Sequence, residues 1–117
     1  MMFDSGKTGE NAATKFLKKN GYRILERNYR KNYGEIDIIA QKGENIAFVE
    51  VKTRKSDAYG TPAEFVTVEK QKRIIKTAYT YIQEFELDAE FTFDIVEVYY
   101  DGRKIVGLNH IENAFYI

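Results

Sequence analysis

The stretch from Gly34 to Lys52 limits the fold more than any other part of the chain. Residues 36–40 and 46–51 are rich in Ile, Val and Phe, and Lys42-Gly43-Glu44-Asn45 between them has turn chemistry. Two strands joined as a hairpin follow. Charged residues stand at odd places in this hairpin. Asp37 lies between Ile36 and Ile38, although Asp is depleted in strands and a charge there needs water or a partner. Glu50 and Lys52 close the second run. Residues two apart on a strand share a face, so Glu50 and Lys52 project together while Val51 points into apolar packing. Pairing the runs brings Asp37 beside Glu50, so two carboxylates and an ammonium converge.

That set suits one kind of chemistry. Hard divalent cations take oxygen ligands, usually one or two carboxylates with waters and a substrate phosphate. A cation held there acidifies a water and stabilises charge on a phosphate, and a lysine nearby orients the attacking water. Metal-assisted hydrolysis of a phosphodiester is the reaction suggested. The same spacing also suits a plain cross-strand salt bridge on a solvated face.

The rest of the chain alternates helices and strands. Asp4 or Ser5 caps an opening helix with its body at Gly9–Asn20 and an apolar stripe of Ala12, Ala13, Phe16 and Leu17; Asn20-Gly21 stops it. Glu10 falls near the Ala13 edge of that stripe, where it leans toward the protein or simply suits the helix dipole. Residues 22–29 read as a strand, with Arg23, Arg27, Arg30 and Lys31 as a basic edge, and Asn32-Tyr33-Gly34 turns into the hairpin. Glu35, two before Asp37, is a supporting or spare ligand. Residues 53–62 have loop composition, with Arg54, Lys55 and the only proline, Pro62. Such a loop beside the site would grip a nucleic-acid backbone or serve as an ordinary connection.

Thr67 reads as the N-cap of a helix over 68–86, with Ile74, Ile75, Ala78, Tyr81, Ile82 and Phe85 as its buried stripe. Lys70, Lys72, Arg73 and Lys76 crowd its first two turns, against the helix dipole. Phosphate contact would favour them, and so would solvation. Residues 91–100 are a strong strand signal, Asp101-Gly102 a hairpin turn, Lys104–Leu108 an edge strand and His110–Ala114 a short helical turn. Phe115-Tyr116-Ile117 is expected to pack back on the core. His110, the only histidine, and Asp94 read as structural. One α/β domain over residues 1–117 results, with the second helix as the crossover to a parallel strand.

Composition excludes some classes. There is no cysteine, so thiolate metal sites and disulfides are out. No apolar run reaches the length of a membrane span, and the first residues lack a signal-peptide pattern, so a cytoplasmic protein is the expectation. The formal net charge is zero, unlike a uniformly basic nucleic-acid binder. Residues 1–76 nevertheless hold 16 of the 18 Lys and Arg but only 10 of the 18 acids. A molecule with one basic side suits a polyanion, provided the two halves do not intermix in the fold.

Glu10 in the first helix, Asp37 in the second strand and Glu50-Val51-Lys52 at the end of the third together resemble the site of the PD-(D/E)XK nuclease superfamily, most of all its archaeal Holliday junction resolvase branch. Gly9-Glu10, Arg27-Asn28, Gly34-Glu35-Ile36-Asp37, Phe48–Arg54 and His110–Phe115 look like the bacterial YraN family, and that likeness covers nearly the whole chain. One departure is Ile36, which stands where the superfamily motif has Pro.

The resemblance implies a restriction-endonuclease-like fold, a central mixed β-sheet flanked by helices. It implies Asp37 and Glu50 as ligands of Mg²⁺ or Mn²⁺, the Val51 carbonyl as a third, Lys52 as the water-positioning cation, and Glu10 completing the site. The expected activity is endonucleolytic hydrolysis of DNA, with branched DNA among the expected substrates, by a homodimer whose two-fold pair of sites cuts two strands. Arg27, Arg54, Lys55, Lys72, Arg73 and Lys76 are the expected nucleic-acid contacts. The alternatives are a nucleic-acid-binding module that cuts nothing, and a protein-interaction module using the acidic C-terminal half.

Overall fold

The computed structural model describes residues 4–59 and 66–116. In chain order the elements are α1 (Ser5–Lys19), β1 (Arg23–Lys31), β2 (Gly34–Lys42), β3 (Asn45–Lys55), a 3₁₀ turn (Ser56–Ala58), α2 (Val68–Glu84), β4 (Glu90–Asp101) and β5 (Lys104–Phe115). The strands form one sheet in the order β1-β2-β3-β4-β5. β3 and β4 run parallel and the other neighbours antiparallel, so α2 is the crossover. A five-stranded mixed sheet between two helices is the restriction-endonuclease-like α/β architecture expected from the sequence.

Local chemistry explains the boundaries. Asp4 caps α1, its Oδ1 accepting from the Lys7 N–H at 3.1 Å, and Gly21 at φ +90 ends the turn beyond it. Thr67 caps α2 through its Oγ1, which accepts from the Lys70 N–H at 3.2 Å. The central hairpin pairs Lys42 with Asn45 around Gly43-Glu44, and Gly43 takes φ +60. β3 is continuously apolar over residues 46–49 because that part is covered on both faces.

The sheet has two cores. On one face Ile36, Ile39, Ile46, Phe48 and Phe93 pack with Ile74, Ala78 and Tyr81 of α2. On the other Ile38, Ala40, Ala47, Val49, Val96 and Val98 pack with Ala13 and Leu17 of α1.

Five local expectations need correction. Residues 110–114 are strand, because β5 stays paired with β4 through Val96↔His110 and Ile95↔Ile111. Asp94 holds the far end of that strand, accepting from the Asn113 N–H at 3.1 Å and meeting His110 Nε2 at 2.9 Å. Asn113 takes φ +52 to permit this. The turn after β4 is Gly102-Arg103, since Asp101 pairs with Lys104. Residues 53–55 extend β3 rather than opening a loop; Gly60, Thr61 and Pro62 lie outside the described residues. Phe85 caps the end of α2 and is 52 % exposed, while Thr77 takes a fully buried place on its inner face. Phe115 packs on Phe93 as expected, but Tyr116 is exposed and Ile117 lies outside the described residues.

Candidate active site

The site begins where the sheet opens. The β2–β3 ladder runs to Ile38↔Val49 and stops there, so the next pair in that register, Asp37 with Glu50, is not bridged by backbone. The Asp37 side chain takes over, its Oδ2 accepting from the Val51 N–H at 2.7 Å. Strand β2 turns over at this residue. Ile36 belongs to the core under α2 and Ile38 to the core under α1, although side chains two apart ordinarily share a face. The other neighbour opens too. Asn28 lies between the pairs Arg27↔Ile38 and Tyr29↔Ile36, at φ +54. A left-handed non-glycine residue in a strand is a local strain of the kind found beside functional sites.

Asn28 fills the gap with its side chain. With the amide nitrogen turned toward the acids, it donates to Glu10 Oε1 at 2.9 Å and Glu35 Oε1 at 3.2 Å. Glu35 is also held by Arg30, Nη2 lying 3.2 Å from Oε2. Glu10, Glu35, Asp37 and Glu50 thus come from a helix and two strands into one neighbourhood.

Their electrostatics show the strain of crowded acids. Burial, then hydrogen bonding to Glu50 and the Glu50 charge, push the Asp37 carboxyl up to about 8, against the opposing Val51 N–H. Burial also raises the Glu10 carboxyl; Arg27 opposes that, and the charges of Glu35, Asp4 and Glu50 add to it. Glu50 is 9 % exposed. Lys70 Nζ, from the first turn of α2, lies 2.8 Å from its Oε2. Among the described residues that ammonium is the one group at the buried Oε2, which accepts no other hydrogen bond. A buried carboxylate oxygen in that condition suits a cation. Among the described residues no three His, Cys, Asp or Glu side chains gather as an ion cage. Asp37 and Glu50 can supply two oxygens, leaving a backbone carbonyl, water or phosphate to complete a shell.

Two clefts adjoin beside the pair, sharing a wall at Gly34, Glu35 and Arg73. One, of about 430 Å³, has Asp37, Glu50, Glu35, Lys70 and Arg73 in its wall. The other, of about 660 Å³, is walled by Arg30, Lys31, Lys72, Arg73 and Lys76 around Tyr33. Gly34 lets β2 close on α2: a Cβ there would stand 2.8 Å from the Arg73 carbonyl oxygen. Lys76 Nζ sits 4.5 Å from the Tyr33 ring centroid, and Tyr33 hydroxyl bonds Thr80. A basic trough therefore adjoins the carboxylate cleft across Glu35 and Arg73.

Asp37 and Glu50 meet as the sequence suggests, with Glu10 within electrostatic reach. Lys52 is half-buried on the strand face of Glu50, opposite Glu97, and is not in the wall of either cleft. Lys72, Arg73 and Lys76 line the basic trough. Arg27 is exposed near Glu10 and holds Asn11 Oδ1 at 3.0 Å. Lys55 is exposed at the end of β3, outside both clefts. Arg54 needs correction as a phosphate contact. Its guanidinium lies 3.0 Å from the buried Glu97 carboxylate and reaches the Tyr99 hydroxyl, leaving its side chain 12 % exposed. An arginine spent on a buried acid is a structural partner, not a groove residue. Sequence reasoning quoted Asn28 only within the Arg27-Asn28 motif and gave it no role, and it missed Tyr33 and the contact between Lys70 and Glu50. Only the last left a trace, as a cation in a helix's first turn.

Comparison with known proteins adds a family. A model of an uncharacterised protein family, UPF0102, matches residues 9–98, a span that includes Glu10, Asp37, Glu50, Lys52 and α2. A UPF0102 protein of Caldicellulosiruptor saccharolyticus is 45 % identical over 112 residues, covering 94 % of this chain and 95 % of its own. One from Alkaliphilus metalliredigens is 48 % identical over 111 residues, covering 94 % and 96 %. One from Chloroherpeton thalassium is 46 % identical over 114 residues, covering 96 % and 88 %. No helix among the described residues is long and apolar enough to cross a membrane.

Proposed function

We propose that this chain, which belongs to the uncharacterised protein family UPF0102, is a divalent-metal-dependent endonuclease that hydrolyses DNA phosphodiesters, with branched DNA as the substrate class to try first. The observation that carries the reading is the Asp37–Glu50 pair. A half-buried and a buried acid meet at a cleft, burial and Glu50 raise the Asp37 carboxyl, one oxygen of Glu50 faces only the Lys70 ammonium among the described residues, and a trough of cations adjoins. Structural carboxylates are normally kept apart and paired separately; this pair is crowded together with one backbone N–H and one ammonium beside it.

Asp37, Glu50 and the Val51 carbonyl would hold Mg²⁺ or Mn²⁺. A cation there supplies neutralising charge beside a phosphate and an acidified water. The protein's own groups do the rest. The Val51 N–H fixes the Asp37 carboxyl through Oδ2 and turns its other oxygen toward Glu50. Asn28 orients Glu10 and Glu35, and Glu10 accepts a proton or holds a water at the edge of the site. Lys72, Arg73 and Lys76 seat backbone phosphates in the trough, and Lys52 approaches the reacting phosphate from the face of Glu50. A homodimer would place two such sites for paired cuts.

One observation favours a second reading, a nucleic-acid-binding module that cuts nothing. Lys70 already satisfies much of the Glu50 charge. Incubation with four-way junctions, flaps and linear duplex in Mn²⁺ separates the two. Cleavage is expected with the wild type and lost with Asp37→Ala; binding of DNA without Asp37-dependent cleavage would support the module instead.

A further inference from the structure

Lys70 occupies a place that its own helix disfavours. It is the third residue of α2, where the unpaired N–H groups and the helix dipole repel positive charge. Its backbone N–H is bound to the Thr67 cap, so the residue is fixed in the first turn. Its ammonium nevertheless reaches into the carboxylate cleft and stops 2.8 Å from Glu50 Oε2, the buried oxygen that accepts no other hydrogen bond among the described residues. The side chain remains 50 % exposed, so water is open to it along another path. An exposed lysine that turns inward against a helix dipole is answering the charge of Glu50.

We infer that the Lys70 ammonium is an internal counter-ion of the carboxylate pair, one that a divalent cation must displace and that, once displaced, is available to phosphate in the same cleft. The inference rests on the metal-site reading above and adds a residue and an exchange to it. Three features support the exchange. A dication on Glu50 Oε2 with Lys70 Nζ still 2.8 Å away would set two positive charges on one oxygen, and their repulsion favours one of them leaving. Lys70 is half exposed and on a flexible stem, so it can leave without unfolding α2. Arg73, one helical turn on, shares the same cleft wall, so an ammonium released from Glu50 joins a cation already facing that space. Lys70 is therefore a positioning residue. It holds the Glu50 carboxyl in place before the metal arrives, and it adds a phosphate contact afterwards.

The experiment measures Mn²⁺ affinity by calorimetry, at constant ionic strength and without DNA, for wild type, Lys70→Gln, Lys70→Met, Lys70→Arg and Asp37→Asn. Removing the ammonium removes a competitor and a repulsion, so the Gln and Met variants should bind Mn²⁺ roughly three- to tenfold more tightly. The Arg variant, still cationic, should match the wild type or bind more weakly. In EDTA the Gln and Met variants should melt lower than wild type, and they should gain more from added Mn²⁺. A purely structural lysine would lower the melting temperature and leave Mn²⁺ affinity unchanged. Binding that depends on Asp37 but is equal or weaker in Lys70→Gln and Lys70→Met overturns the exchange and leaves the metal site standing. No Mn²⁺ binding by any variant removes the metal site, and the exchange with it.

Discussion

Replacing Asp37 by Asn is the most informative single change, because its effect has a sign, a size and a pH range. In the folded protein this carboxyl titrates at about 8, against an ordinary value of 3.8. The folded state therefore holds the proton more tightly than the unfolded chain does. Between those two values the native state binds more protons than the unfolded state, so stability falls as pH rises from about 4 to about 8 and is level beyond. Asparagine cannot ionise. Its carbonyl oxygen can still accept from the Val51 N–H, and its amide can donate to Glu50 as the protonated acid does. The variant should match wild type near pH 4 and overtake it as pH rises.

The ceiling follows from the shift. About 1.4 kcal/mol per unit over the roughly three units between 3.8 and pH 7 is about 4 kcal/mol. Asp37 faces a cleft, so water relaxes part of this, and about 1–3 kcal/mol at pH 7 is the working figure. In a domain of this size that is a rise of about 4–12 °C in melting temperature. Thermal and urea denaturation in EDTA at pH 5 and pH 8 read it directly. With Mn²⁺ present the order should reverse: the wild type gains stability by mass action and Asp37→Asn does not. A variant less stable than wild type at pH 8, or more stable by the same amount at both pH values, refutes the strained pair.

Two further substitutions probe the trough and the far end of the sheet. Lys72→Ala should weaken DNA binding of any sequence and lower the slope of log affinity against log salt by about 0.9 per lost phosphate contact. Fluorescence anisotropy over a salt series measures this, and an unchanged slope removes Lys72 from the interface. Asp94→Ala should strip the acceptor from the Asn113 N–H and from His110, at about 2–4 kcal/mol of stability, with Mn²⁺ affinity unaltered. Urea denaturation beside calorimetry checks both halves; a loss under about 1 kcal/mol would mean that water replaces the carboxylate.

What could be read from the sequence, and what could not, divides by distance along the chain. The β2–β3 hairpin was readable because turn and strands adjoin. The caps at Asp4 and Thr67 were readable because each bonds a residue three positions on. The Asp37–Glu50 meeting follows from the hairpin register alone, which is why two charges among Ile and Val could be assigned to one site. β5 was misread beyond Leu108 because what holds it straight is Asp94, 16 and 19 residues away from His110 and Asn113. Arg54 was misread for the same reason, since Glu97 reaches it only through the parallel pairing that α2 makes possible. Asn28 is a sharper case. Its left-handed turn is needed only because β2 turns over at Asp37, so no local pattern could announce it. The sheet opens at one level on both sides of β2, and the residues standing in that opening are Asn28, Asp37 and Glu50. A backbone that gives up ladder bonds there, and replaces them with side chains, has exchanged stability for a cavity lined with acids. That exchange is hard to explain as packing and simple to explain as a site.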